Sequence, residues 1–156
     1  MGIAALVAWV VTAGGGFIML ARWISRGGLR QQAGGATRFP AALVFGHFGL
    51  AATGLVLWII YLVLDADALT WVAVVLLVVV ALLGFTLFSR WLPSRRGTAT
   101  TVGAAASSYG AGSRSAGEVA GDPAERHLPV PVVAAHGVFA VITLVLVLLT
   151  ALGIGS

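Results

Sequence analysis

Ala68-Leu69-Thr70-Trp71-Val72-Ala73-Val74-Val75-Leu76-Leu77-Val78-Val79-Val80-Ala81-Leu82-Leu83-Gly84-Phe85-Thr86-Leu87-Phe88 contains neither a charged side chain nor a proline. Wound as a helix at 1.5 Å per residue, such a stretch crosses the roughly 30 Å hydrocarbon layer of a bilayer. It is too long and too uniformly apolar for a barrel strand, and irregular backbone cannot face lipid, so it reads as a transmembrane helix. Three other stretches share its character, at about 3–21, 40–64 and 129–152. Across the chain 60% of residues are apolar and 9% are charged. A soluble domain of this length needs far more polar surface to cover its core. The expected fold is an all-α membrane protein, a bundle of four transmembrane helices.

The charges fix the expected orientation. Arg22, Arg26, Arg30 and Arg38 follow the first span, and Arg90, Arg95, Arg96, Arg114 and Arg126 follow the third. The second loop holds only Asp65 and Asp67, and neither terminal segment carries a charged side chain. The positive-inside rule then places loops one and three in the cytoplasm and both termini on the other side. Because every basic residue lies in a loop between spans, the net charge of +4 is no signal for nucleic acid, and the bilayer is the first expected partner. The basic residues follow the first apolar stretch instead of preceding it, which fits a retained anchor better than a cleaved leader. Absence of cysteine excludes disulfides, iron–sulfur clusters and thiolate metal sites. Arginine used without lysine, with abundant Ala, Gly and Val, suggests a GC-rich bacterial genome and hence a cell (inner or plasma) membrane location.

Residues 93–127 are rich in Gly, Ala, Ser and Thr, with Pro93 and Pro123 as breakers. Small polar composition of this kind suits a flexible cytoplasmic linker without a fixed fold. It separates residues 1–92, the first hairpin plus the third helix, from the fourth helix in 128–156.

An internal repeat organises the spans. Gly16-Phe17 is followed after four residues by Arg22-Trp23-Ile24, and Gly84-Phe85 after four residues by Arg90-Trp91-Leu92. Pro40 precedes His47 by the same interval as Pro129 precedes His136. Ala51, Leu55, Val56 and Leu57 match Ala140, Leu144, Val145 and Leu146, although apolar matches carry little weight. The pattern is a tandem duplication of a two-helix unit. An even number of spans per unit keeps both copies in one orientation, so the halves should be related by a pseudo-twofold axis along the membrane normal.

Ionisable residues inside a span are costly and point to function. His47 and His136 are the two here, each roughly 10 Å from the cytoplasmic interface at seven residues beyond its proline. Spans two and four run in the same direction, so both imidazoles lie at one depth and approach the pseudo-twofold axis from opposite sides. Two axial ligands holding a planar haem need that geometry. Gly16 and Gly84 lie roughly 9 Å from the same interface, level with the histidines, where small residues leave room for a porphyrin. Gly46 and Gly137 adjoin the histidines and are expected to let the helix backbone pass close to the macrocycle.

With His on the second and fourth helices and Gly on the first and third, the chain resembles the cytochrome b family, in a single-haem version. The resemblance covers all four spans and implies a haem b held by His47 and His136, with Gly16 and Gly84 packed against it. That family carries a second His thirteen or fourteen residues along each ligating helix. Here those positions are Ile60 or Tyr61 and Leu149 or Thr150, so no second haem layer is expected. A single haem in one leaflet cannot by itself carry electrons across the whole bilayer, so a quinone, a partner redox protein or a second cofactor is also expected.

Other readings of these residues stay open. The histidines also suit a hydrogen-bonded packing pair, or a metal or proton site, although two His alone make a poor zinc or iron site. Arg22 and Arg90, with Arg38 nearby, stand where haem propionates would emerge, and positive-inside anchoring explains them equally. Trp23 and Trp91 read as interfacial belt residues. Ala4, Ala8, Thr12 and Gly16 form a small-residue seam for close helix packing, and Thr143 is expected to bond its own backbone. No hydrolytic constellation or phosphate loop is present. The functions in view are an electron-transfer cytochrome or redox-complex subunit, a non-catalytic subunit or assembly factor of a larger membrane complex, and a small transporter.

Overall fold

The computed structural model describes residues 1–96 and 122–154. Among these residues every regular element is helical. Helix α1 spans Gly2–Ser25, the single turn α2 Gly28–Gln31, α3 Ala41–Leu64 and α4 Ala68–Arg96. A 3-10 turn at Ala124–His127 then leads into α5, Val130–Ala151. Helices α1, α3, α4 and α5 are each long and apolar enough to cross a membrane. This is the four-span bundle expected from the sequence.

Local chemistry sets the boundaries. Pro40 and Pro129 cap α3 and α5 in extended conformation (ψ 132° and 126°); each lacks an N–H that the first helical turn could not have used. At the other end of α3, Asp65 adopts the left-handed conformation at φ 51° and its amide bonds the Tyr61 carbonyl, closing the last turn. Helix α4 does not stop before Pro93 but continues to Arg96. The ring removes one hydrogen bond near the helix end, where losing it disrupts little that follows. The stretch expected as a linker is thus helical at its start and, as described below, docked at its end; residues 97–121 between lie outside the described residues.

The spans close into a ring in which α1 packs on α5 and α3 on α4 as the tighter pairs, with α1–α3 and α4–α5 completing the circuit. The tighter pairs each join one helix of the first repeat to one of the second. Two apolar clusters fill the interior, and both follow the repeat. One, toward the termini, contains Ala5, Trp9 and Trp58 with their counterparts Ala73, Leu77 and Val147. The other, toward the arginine-rich end, contains Trp23 and its counterpart Trp91, with Phe39, Val44, Ala124 and Leu128. Trp23 and Trp91 therefore belong to the core and not to an outer aromatic belt: they are 1% and 5% exposed. They sit at interfacial depth, but their rings turn inward against the other helices.

Between these clusters lies a layer to which neither contributes a side chain. It covers residues 10–18 of α1, 45–54 of α3, 78–86 of α4 and 134–143 of α5. Nine or ten helical residues rise roughly 14 Å. His47 and His136 lie in this layer.

Candidate functional site

A backbone carbonyl inside a helix already accepts the N–H four residues on, yet it keeps a second lone pair. A side chain from a neighbouring helix reaches that lone pair only by passing close to residue i+4, on the same face one turn along. Both histidines do this. His136 Nδ1 lies 2.9 Å from the Thr12 carbonyl oxygen, and His47 Nδ1 lies 3.0 Å from that of Val80. One turn beyond the acceptors stand Gly16 and Gly84. A Cβ at Gly16 would come to 3.1 Å from His136 Cε1, and one at Gly84 to 3.0 Å from His47 Cε1. The glycines make room for the imidazoles themselves, each on the tighter-packed neighbouring helix, in addition to sharing their depth in the bilayer.

A carbonyl can only accept, so each Nδ1 carries the proton and donates. The tautomer is thereby fixed, and each Nε2 is left with an unshared lone pair. Among the described residues no protein group bonds either Nε2. The two ring centroids lie 6.3 Å apart, with planes inclined by 60°. Chemically the pair offers two oriented imidazole nitrogens, each braced from behind by a main-chain acceptor, within an apolar bundle. Among the described residues no group of three or more His, Cys, Asp or Glu side chains comes together as a metal site.

The other candidates separate. An added Cβ on Gly46 or Gly137 would meet nothing within 4 Å, so no protein neighbour requires glycine there. Arg90 donates from Nη1 to the Arg38 carbonyl oxygen at 3.2 Å, on the exposed rim of the arginine-rich end; Arg22 is also exposed. Ala8 is buried in the expected seam while Ala4 is exposed. Thr143 donates to the Phe139 carbonyl at 2.8 Å, as expected for a membrane threonine, and its oxygen also lies 3.3 Å from Thr12 Oγ1.

One element escaped the sequence reading. Glu125 is fully buried, with its carboxyl held by Thr37 and Arg38 in loop one. One of three acidic residues (Glu118, Asp122 and Glu125) in a Gly/Ala/Ser-rich stretch gives little signal for this. Pro123, beginning a short turn, was the available hint.

Comparison with protein-family models, curated proteins and solved structures found no match to this chain.

Proposed function

We propose that this protein is a b-type cytochrome-like membrane protein that binds one haem between His47 and His136. The observation that carries the proposal is the repeated trio of His, carbonyl and Gly, which fixes both tautomers and leaves an unshared Nε2 lone pair in each half. Metal-ligating histidines characteristically donate their other ring N–H to a carbonyl or carboxylate, which orients the ring and raises its basicity. The two imidazole centroids lie 6.3 Å apart, near enough for one group to be held by both. Two protein ligands do not complete the coordination of a bare ion, whereas a porphyrin supplies its own equatorial nitrogens. The layer to which neither apolar cluster contributes, with Val80 and Thr143 buried in it, lies at the same depth.

Bound there, haem would supply one-electron chemistry. The chain's part would be to hold Nε2 of His47 and of His136 in a fixed tautomer and to keep the surroundings apolar. The first cluster, where Trp9 and Trp58 pack with ring centroids 6.3 Å apart, fills the region in which a second haem would otherwise lie. We further propose that the arginine-rich end faces the cytoplasm of a bacterial cell membrane, with both termini outside, because all nine arginines fall in loops one and three. Electrons would then be exchanged with a membrane quinone or a partner redox protein.

The test is an absorption spectrum of detergent-purified protein expressed with ample haem. A Soret band that His47→Ala and His136→Ala each remove supports the reading. No Soret band after haem supplementation, with the bundle still folded, leaves the histidines as a packing pair and overturns it.

A further inference from the structure

The end of the long third loop crosses the bundle mouth. The 3-10 turn Ala124–His127 precedes α5 in sequence, yet it packs against α1, α2 and α4. Four hydrogen bonds fasten it to loop one. Thr37 Oγ1 donates to Glu125 Oε2 at 2.8 Å and the Arg38 amide to Glu125 Oε1 at 2.6 Å. The Ala124 amide donates to Gln31 Oε1 at 2.9 Å, and Gln31 Nε2 donates to the Asp122 carbonyl at 3.1 Å. Loop one is shaped to receive these bonds. Gln32 folds it back by donating to the Phe39 carbonyl and accepting from the Ala41 amide. Gly28 lies so close to Trp23 that any Cβ would overlap the indole. Under this fastening Ala124 and Leu128 join Trp23, Trp91 and Val44 in one apolar cluster.

Burying a carboxyl is costly unless its oxygens are satisfied. Glu125 is fully buried, and both oxygens take donors from a neighbouring loop, with no cation among the described partners. A tether needing only to join α4 to α5 has no use for such a group. We infer that residues 122–128 form a strap, locked by Glu125 onto Thr37 and Arg38, that closes the arginine-rich end of the bundle and shuts water out of the histidine layer. Released, the strap exposes the Trp23–Trp91 cluster and opens a path past Val44, one turn from His47. The strap is independent of what the histidines hold, so it stands or falls separately from the haem.

The chain has no cysteine, so a single introduced thiol is a clean reporter. Val44→Cys lies under the strap, and Val63→Cys, at a position 76% exposed near the opposite end of α3, serves as control. The measurement is the rate of labelling by a water-soluble maleimide in detergent, alongside amide hydrogen exchange. Adding Glu125→Ala should speed labelling at position 44 by tenfold or more and leave position 63 within twofold. Protection should fall at the amides of Arg38 and Ala124 and persist through the four spans. Equal labelling rates at position 44 with and without Glu125→Ala, in protein whose spans stay protected, overturn the inference. If Glu125→Ala does not yield folded protein, Gln31→Leu carries the same test with the same outcomes. It removes the bonds to Ala124 and Asp122 and leaves the buried carboxyl in place.

Discussion

The two repeat-related halves of the bundle are the same at the histidine and different one layer away. At the histidine, Thr12 carbonyl, Gly16 and His136 correspond atom for atom to Val80 carbonyl, Gly84 and His47. Toward the termini the correspondence ends. Gly54 of α3 lies under Trp9, whose ring would stand 2.9 Å from an added Cβ. The matching positions in the second repeat are Thr143 and Leu77, and Thr143 meets Thr12 through their hydroxyls. Both arrangements fill the bundle, by different chemistry. What the copies share is the orientation of two imidazoles; what they do not share is packing that many side chains can supply.

The most severe way to break this comparison is to remove the imidazoles. His47→Ala and His136→Ala should each abolish haem binding, to below a tenth of the parent Soret absorbance. A clear difference between the two would show that the halves are not equivalent as ligands. Next in size are Gly16→Ala and Gly84→Ala, which bring a methyl within 3.1 Å and 3.0 Å of the rings. Each should cost ~1–3 kcal/mol of bundle stability by overpacking, measured by reversible unfolding in mixed micelles. Gly14→Ala, whose Cβ meets nothing within 4 Å, should be neutral or gain up to about 1 kcal/mol from helix propensity.

The divergent layer can be exchanged between halves. Gly54→Ala should destabilise by ~1–2 kcal/mol through its clash with Trp9. Gly54→Thr combined with Trp9→Leu, which installs the second repeat's pair in the first, should be more stable than Gly54→Thr alone. A double-mutant cycle measures this coupling, and strict additivity would show that the two positions do not exchange as a unit. The smallest effect should come from Thr143→Val, about 0.5 kcal/mol, in line with measured interhelical hydrogen bonds in membranes.

The span count, the repeat and the shared depth of His47, His136, Gly16 and Gly84 could be read from sequence because Gly, Pro, His and Arg-Trp are informative against an aliphatic background. Which helices adjoin could not. A membrane helix is apolar on its lipid face and on its packed face alike, so periodicity does not mark the inward side. For that reason Trp23 and Trp91 read as a belt, and the contact of Gly16 and Gly84 with the imidazoles could not be read at all. The strap eluded composition for a different reason. Its hold depends on one carboxyl meeting two donors some ninety residues earlier in the chain, a pairing that no local pattern announces.

Each histidine is braced by a helix of the opposite repeat: His47 by α4, His136 by α1. A single hairpin, α1 with α3, thus holds an imidazole without its acceptor and an acceptor without its imidazole. Such a hairpin reaches the complete arrangement only by meeting a second copy of itself in the same membrane, inserted the same way up. The fused chain makes that encounter intramolecular. It also frees the two copies to differ wherever the pair of imidazoles does not need them alike, as Trp9 and Leu77 now do.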